Sequence, residues 1–407
     1  MTPETRAAEF DAADPLAHFR ERLTLPEGVI YLDGNSLGAL PKATPKAVQR
    51  VVEQEWGGGL IRSWNAAGWF EAAGRVGAKI APLIGAGPNE VIACDSTSVN
   101  LFKLIAAALA MKPGRKVVLS EPGNFPTDLY MIAGLEAQGL AERRLAERDR
   151  LAAALDADVA LLMLTHVHYK TGAMHDMVAL TRAAHEAGAL VLWDLSHSTG
   201  AVPVDLNAVG ADFAVGCGYK YLCGGPGAPA FAFVAERHLA DLQQPLTGWF
   251  GHAAPFAFTD DYHGAPGIDR LQCGTPPVLG LAALEVGVDL IAEIGVERLY
   301  GKSQALSEFF LECLMTHDMH LELVSPPRST DRGSQLSFRH PEAYAICQAL
   351  IARGVIGDFR APDVLRLGFA PAYLSFADIA AAARHLAEVL ATGEWQRAEF
   401  QERAAVT

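Results

Sequence analysis

Between residues 116 and 234 the chain alternates short, almost wholly apolar runs with longer mixed stretches. The apolar runs are Lys116–Ser120 (KVVLS), Val159–Leu164 (VALLML), Leu190–Trp193 (LVLW), Phe213–Gly216 (FAVG) and Ala230–Val234 (AFAFV). Their shortness and lack of polar alternation read as strands buried on both faces. Helical stretches around Pro126 to Gln138 and Met177 to Ala187 sit between some of them. The pattern therefore predicts an α/β fold, with a mainly parallel sheet sandwiched by helices. In such sheets, ligand-binding residues gather beyond the strands' carboxyl ends.

Upstream, Pro41 to about Trp56 reads as a helix, and Ala78 to Ile84 as the end of another. Asp95-Ser96-Thr97-Ser98 supplies capping residues for an apolar helix from Val99 to Met111, which Lys112-Pro113-Gly114 stops. After about Tyr300 the texture changes to a smaller α+β unit. There Ser334 to Arg339 and Val364 to Phe369 read as strands, and Tyr344 to Arg353 and Phe376 to Ala391 as helices. The boundary falls between Gly280 and Lys302, inside what reads as one long helix.

Composition narrows the function. The 407 residues suggest two or three domains at about 150 residues each. With 33 Lys+Arg against 47 Asp+Glu, the formal charge is −14, which speaks against a phosphate-backbone partner such as nucleic acid. The polar, acidic N-terminus resembles neither a secretory signal nor a transit peptide, and no apolar run approaches the ~18 residues of a membrane span. Six scattered cysteines with no C-x-x-C pair read as reduced thiols, so a soluble cytoplasmic protein is expected. The basic residues comprise only nine lysines beside 24 arginines, so any amine chemistry has few candidates.

The strand ends carry the candidate chemistry. LVLW delivers Asp194 and then Leu195-Ser196-His197-Ser198, while FAVG leads through Cys217-Gly218 to Tyr219-Lys220 and the turn Cys223-Gly224-Gly225-Pro226-Gly227. VALLML delivers Thr165-His166. Pyridoxal phosphate accounts for each residue type. A lysine amine forms an imine with its aldehyde, and a carboxylate keeps its ring nitrogen protonated. Thr97-Ser98 at a helix start offers hydroxyls and N–H groups to its phosphate. Phe125, in Asn124-Phe125-Pro126-Thr127-Asp128, is placed to lie over its ring.

Several segments together resemble the kynureninase family of fold-type I pyridoxal-phosphate enzymes. They are Tyr31-Leu32-Asp33-Gly34-Asn35-Ser36-Leu37-Gly38, Arg62-Ser63-Trp64, Asn124 to Asp128, Trp193 to Ser198, Gly218 to Leu222 and Gly248-Trp249-Phe250-Gly251. The resemblance implies a large cofactor-binding domain over 51–290, a small C-terminal domain over 291–407 and an N-terminal segment over 1–50 packing with the small domain. It implies hydrolysis of L-kynurenine, or 3-hydroxykynurenine, to the anthranilate and L-alanine in tryptophan catabolism. It also implies a homodimer with sites at the subunit interface.

Carried over by residue, Lys220 would hold the cofactor as a Schiff base and act as base. Asp194 would pair with the ring nitrogen, His197 would sit nearby, and Phe125 would stack on the ring. Pro126, Thr127 and Asp128 would flank it, with Asp128 bonding near the ring nitrogen or 3′-oxygen, and Thr165 would contact it. Thr97, Ser98, Tyr219 and Trp249 would hold the phosphate, and Tyr219 would also pass a proton. Ser36 and Trp64 would approach the substrate, and Arg366 would clamp its carboxylate through a bidentate pair. Thr275 falls where some family members carry Asn and contact the partner's site.

Plainer readings stand beside these. Asp194 and Thr97-Ser98 are also ordinary caps, and Arg366 also suits a surface salt bridge. Lys170 follows Tyr169 as Lys220 follows Tyr219, but it precedes the carboxylate strand and reads as a loop lysine. The other seven lysines read as solvated charges. His166-x-His168 lacks further ligand spacing, so no metal site is expected. Two competing functions are a cysteine desulfurase, which needs a mobile reactive thiol, and a non-catalytic ligand sensor, which needs an added DNA-binding domain.

Overall fold

The computed structural model describes residues 2–315 and 321–403. Residues 316–320 and 404–407, within the span assigned to the C-terminal unit, lie outside the described residues. A seven-stranded sheet dominates the molecule, built from β1 (Val91–Ala93), β2 (Val117–Ser120), β3 (Glu142–Leu145), β4 (Val159–Thr165), β5 (Leu190–Asp194), β6 (Phe213–Gly216) and β7 (Phe231–Val234). Their spatial order is β1-β7-β6-β5-β4-β2-β3. The pairs from β6 across to β3 are parallel, whereas β7 runs antiparallel to both β6 and β1. Every residue of β2, β4, β5, β6 and β7 is buried, which is why those strands carry no alternation.

Two strands leave no such mark. β3 (Glu-Arg-Arg-Leu) lies at the sheet edge with its side chains mostly exposed, and β1 is only three residues long. A second, four-stranded antiparallel sheet includes Gln335–Arg339, Asp358–Arg360 and Val364–Gly368. Ile30–Tyr31 pairs in parallel with Val355–Ile356, and the helix Pro3–Ala13 lays Phe10 against Phe309 and Phe376. The first residues of the chain thus pack onto its last helices.

Two helical expectations need correction. The stretch after Pro41 is an α-helix only over Thr44–Arg50 and continues as a π-helix over Val51–Gly59. Gly57, Gly58 and Gly59 tolerate the wider turn, while Ser63 donates to the Glu55 carbonyl at 2.6 Å and Arg62 to those of Gly58 and Gly59. The expected long boundary helix is two helices, Val278–Ile294 and Val296–Leu314. Gly295 breaks them apart at φ +89°, a backbone conformation that only glycine adopts cheaply.

Among the described residues no helix is long and apolar enough to cross a membrane.

Candidate active site

Adjacent parallel strands bring the chemistry together. Thr165 ends β4 opposite Asp194 at the end of β5, and Asp194 in turn lies beside Val215 of β6. Beyond β6 the chain turns sharply at Gly218, where an added Cβ would meet the Pro229 carbonyl oxygen at 2.3 Å. The glycine-rich loop folds back on this turn, with Gly224 N donating to Gly218 O at 2.9 Å and Cys223 N to Lys220 O at 2.9 Å. Lys220 is thereby held by its backbone while its side chain points along the strand tips.

A cavity of about 220 Å³ opens there. Thr97, Ser98, Phe125, Thr127, Thr165, Asp194, His197, Tyr219 and Lys220 all line it. Ser96, Tyr169 and Ser196 also line it, residues to which the sequence assigned no part in the site. Lys220 Nζ lies 3.0 Å from His197 Nε2 and 5.7 Å from the centroid of the Phe125 ring. Ser96 caps the helix Thr97–Met111 by accepting from Val99 N, leaving the first N–H groups of a fifteen-residue helix at the cavity. Asp128, in the first turn of the helix Pro126–Ala137, is fully buried behind Thr165, whose Oγ1 stands 3.0 Å from Asp128 Oδ2.

The electrostatics leave this site short of a cation. Burial pushes the Asp194 carboxyl up, offset only in part by the Ser196 N–H at 2.7 Å and by Lys220. Burial and then the charge of Asp194 push Asp128 well above the usual carboxylate range. Burial, then the Lys220 charge, hold His197 well below the ordinary histidine range, so its ring is neutral. Asp128 Oδ1 and His197 Nδ1 are buried without a hydrogen-bond partner. A flat, cationic heteroaromatic ring with a phosphate arm fits these features. The ring would supply charge to the two carboxyls, and the helix start would receive the phosphate.

The remaining candidates lie off the cavity wall. Arg366 is almost wholly buried, and its expected carboxylate fork is already filled. Its Nε donates to Asp358 Oδ1 at 2.8 Å, its Nη2 pairs with Asp358 Oδ2 and donates to Ser36 Oγ at 2.7 Å, and its Nη1 reaches Tyr169 O at 2.6 Å. Arg360 lies beside it: its Nη2 shares Asp358 Oδ2 at 2.6 Å, and its Nε is buried and unpartnered. Asp358 and Arg360 escaped the sequence reading. The available signal was hairpin geometry, which sets Asp358 directly opposite Arg366 across a short turn.

Trp64 packs against Phe250 and Trp69 at 5.7 and 5.9 Å between ring centroids and does not line the cavity. Trp249 is 39% exposed and Thr275 is exposed, so neither reaches the cavity of its own chain. Lys170 Nζ donates to Ala361 O at 2.9 Å. The ring nitrogens of the His-x-His pair are occupied by protein groups, His166 Nδ1 at 2.9 Å from Ser198 Oγ and His168 Nε2 at 2.9 Å from Gly123 O.

Comparison with known proteins decides the family. A family model described as the kynureninase C-terminal domain matches residues 299–386. The kynureninase of Pseudomonas fluorescens is 49% identical over 418 residues, covering all of both chains. That of Burkholderia mallei strain ATCC 23344 is 50% identical over 416 residues, again covering all of both. The chain belongs to the kynureninase family. Solved structures share the fold. A cysteine desulfurase from Thermococcus onnurineus NA1 superposes with TM-score 0.79 at 18% identity, covering 92% of this chain and 98% of that one. A lyase with glycine covalently linked to its pyridoxal-phosphate cofactor superposes with TM-score 0.78 at 17% identity, covering 90% and 98%. At these identities the likeness is one of fold alone.

Proposed function

We propose that this chain hydrolyses L-kynurenine to anthranilate and L-alanine with pyridoxal phosphate held by Lys220. The observation that carries this is the pairing of Lys220, His197 and Asp194 around one small cavity in a chain half identical to kynureninases along its whole length. Bound at the cavity, pyridoxal phosphate supplies an electron sink for the substrate's Cα and Cβ. The chain's own residues do the rest. Thr97 and Ser98 would hold the phosphate, with Trp249 of the partner subunit and Thr275 of the partner subunit as further contacts in the dimer proposed below, and Phe125 on the cavity wall would lie over the ring. Pro126 starts the helix that sets Thr127 on the cavity wall and Asp128 behind it, so that Asp128 and Thr165, themselves hydrogen-bonded, would meet the ring's edge. Asp194, on the cavity wall, would face the ring nitrogen and keep it protonated.

Arg366 and Arg360 bind the substrate carboxylate, with Ser36 between them. Freed from its own bond, the Lys220 amine takes the proton from Cα and returns it nearby. Water adds to the γ-carbonyl, the Cβ–Cγ bond breaks with its electron pair passing to Cβ, and Cβ gains a proton. We assign that proton to Tyr219, which lines the cavity and whose phenol burial and then Cys217 hold above the usual range, and so protonated.

The test is to mix purified protein, pyridoxal phosphate and kynurenine and follow anthranilate fluorescence, with 3-hydroxykynurenine run in parallel. Cofactor binding without anthranilate formation would sink the assignment. Desulfurase chemistry fits less well. Cys217 and Cys223 are buried beside Lys220, and burial pushes the Cys223 thiol up to about 12, away from a reactive thiolate. A sensor role gains no support either, since the kynureninases matched over their full length are enzymes by name.

We also propose that two copies of the chain assemble. Phe256, Phe258 and Trp249 are 60%, 80% and 39% exposed on one aromatic surface, where Phe256 meets Trp249 edge to face at 5.9 Å between ring centroids. Pairing would cover this surface and bring Trp249 and Thr275 to the neighbour's cavity. Light scattering should give the mass of a dimer, and a monomer that retains full activity would refute the shared site. The cytoplasm is the compartment proposed, as the six scattered cysteines of the sequence include no C-x-x-C pair and read as reduced thiols.

A further inference from the structure

The turn from Asp33 to Gly38 touches both halves of the site. Leu32 N donates to Ile356 O and Gly368 N to Leu32 O, each at 2.7 Å, fastening the turn's start to the arginine strands. At its far end Gly38 N donates to Tyr219 O at 2.8 Å, and an added Cβ at Gly38 would meet Lys220 O at 2.2 Å. The turn therefore holds a fixed place between the lysine and the carboxylate clamp. Ser36 Oγ donates to Asp358 Oδ2 at 2.8 Å and accepts from Arg366 and Arg360 at 2.7 and 3.2 Å. Asp33 interacts with Asp358, Ser36 and Arg366 of this cluster, with its Oδ1 buried and unpartnered.

Two carboxyls and two guanidiniums thus share one largely buried cluster. If both carboxyls are ionised, their charges cancel those of the arginines. If Asp33 carries a proton, one net positive charge remains. We propose that Asp33 is a positioning residue of the carboxylate clamp: protonated, it leaves Arg360 and Arg366 a net charge for the substrate's α-carboxylate, and ionised, it cancels that charge. The proposal rests on the kynurenine reading for the substrate's identity and on the cluster's geometry for the rest.

Burial, then the charge of Asp358, push the Asp33 carboxyl up to about 7, with Ser36 and Arg366 opposing. Burial also acts on Asp358, but Arg366 and Arg360 outweigh it and hold that carboxyl below its ordinary range. The other titratable groups facing Asp33 are Tyr31, Tyr221, Tyr373 and Cys347. Burial raises all four, so they are neutral where Asp33 titrates. Asp33 is the group in this cluster whose charge changes near neutral pH. The sign follows directly: as pH rises through about 7, Asp33 gains a negative charge and the clamp should bind a carboxylate more weakly.

The experiment uses the cofactor-loaded enzyme and L-alanine as probe, its binding read from cofactor absorbance between about pH 6 and 8. Wild type should lose roughly three- to tenfold more affinity over that range than Asp33→Asn, whose side chain stays neutral. At the upper pH, Asp33→Asn should bind more tightly than wild type, and with kynurenine the change should fall on KM rather than kcat. Parallel profiles for the two proteins would overturn the proposal. Should Asp33→Asn fail to fold, Ser36→Ala serves instead. It keeps the carboxyl, loses one hydrogen bond that lowers its pKa, and should move the step to higher pH; an unmoved step would count against the proposal. An alanine-binding step without anthranilate formation would refute the kynurenine reading and leave the clamp standing, whereas anthranilate formation without the step would refute the clamp alone.

Discussion

Replacing Lys220 with alanine is expected to lower anthranilate formation on the order of 10³-fold or more and to abolish the cofactor adduct trapped by borohydride. The physical reason is local. Lys220 Nζ is the amine that faces the cavity, 3.0 Å from a neutral His197 ring and over the Phe125 ring. Neither neighbour can form the covalent link or accept a Cα proton in its place, because His197 is held well below the ordinary range at which histidine takes up a proton. Lys170→Ala is the matched control. Its amine is turned to the Ala361 carbonyl at 2.9 Å, so adduct and activity should both survive. An adduct that persists without Lys220 and disappears without Lys170 would reassign the anchor. Gel filtration of each variant excludes a folding defect as the cause.

How far a residue could be read from sequence depended on whether its role is written in its own neighbourhood. Apolar runs such as Leu190–Trp193 announced buried strands because a strand covered on both faces has no polar position to hide. The edge strand Glu142–Leu145 needs no apolar face and gave no signal. The Lys220 segment was legible because strand, lysine and glycine-rich turn are contiguous. The clamp was legible only in part. Arg366 was found, but its partner Asp358 becomes visible only when the hairpin folds back and sets the two in register. The turn that carries Asp33 belongs to the clamp through contacts of Ser36 more than 300 positions away in the chain, which no local pattern encodes. Lysines show the same divide. Lys302, read as a solvated charge, is buried in a pair with Asp14 at 2.7 Å, and Lys103 is wholly buried. A charged position on an apolar helix looks the same in sequence whether its partner is water or an aspartate from the preceding loop.

Lys103 therefore carries the second large expected effect. Its side chain has no exposure, and Nζ donates to Asp95 Oδ2 and to Leu271 O, both at 2.5 Å. Asp95 stands at φ +50°, a left-handed conformation that a non-glycine residue keeps only when its surroundings impose it. The ammonium thus ties the turn that leads into Ser96, Thr97 and Ser98 to the segment that leads toward Thr275. Lys103→Met keeps the volume but leaves a carboxylate and a carbonyl without their donor. Removing one partner of a buried ion pair costs about 3–5 kcal/mol, and the lower half applies here because the Asp95 side chain is 27% exposed. At ~2.1 cal/mol/K per residue over 407 residues, that lowers Tm by roughly 3–5 °C. Cofactor affinity should fall about tenfold as the phosphate-binding turn loosens, a change of ~1.4 kcal/mol. Adding Asp95→Asn removes the stranded charge, so the double variant should recover part of the melting loss while cofactor binding stays weak. A Lys103→Met protein that melts like wild type and holds its cofactor as tightly would show that the turn is fixed by its backbone alone.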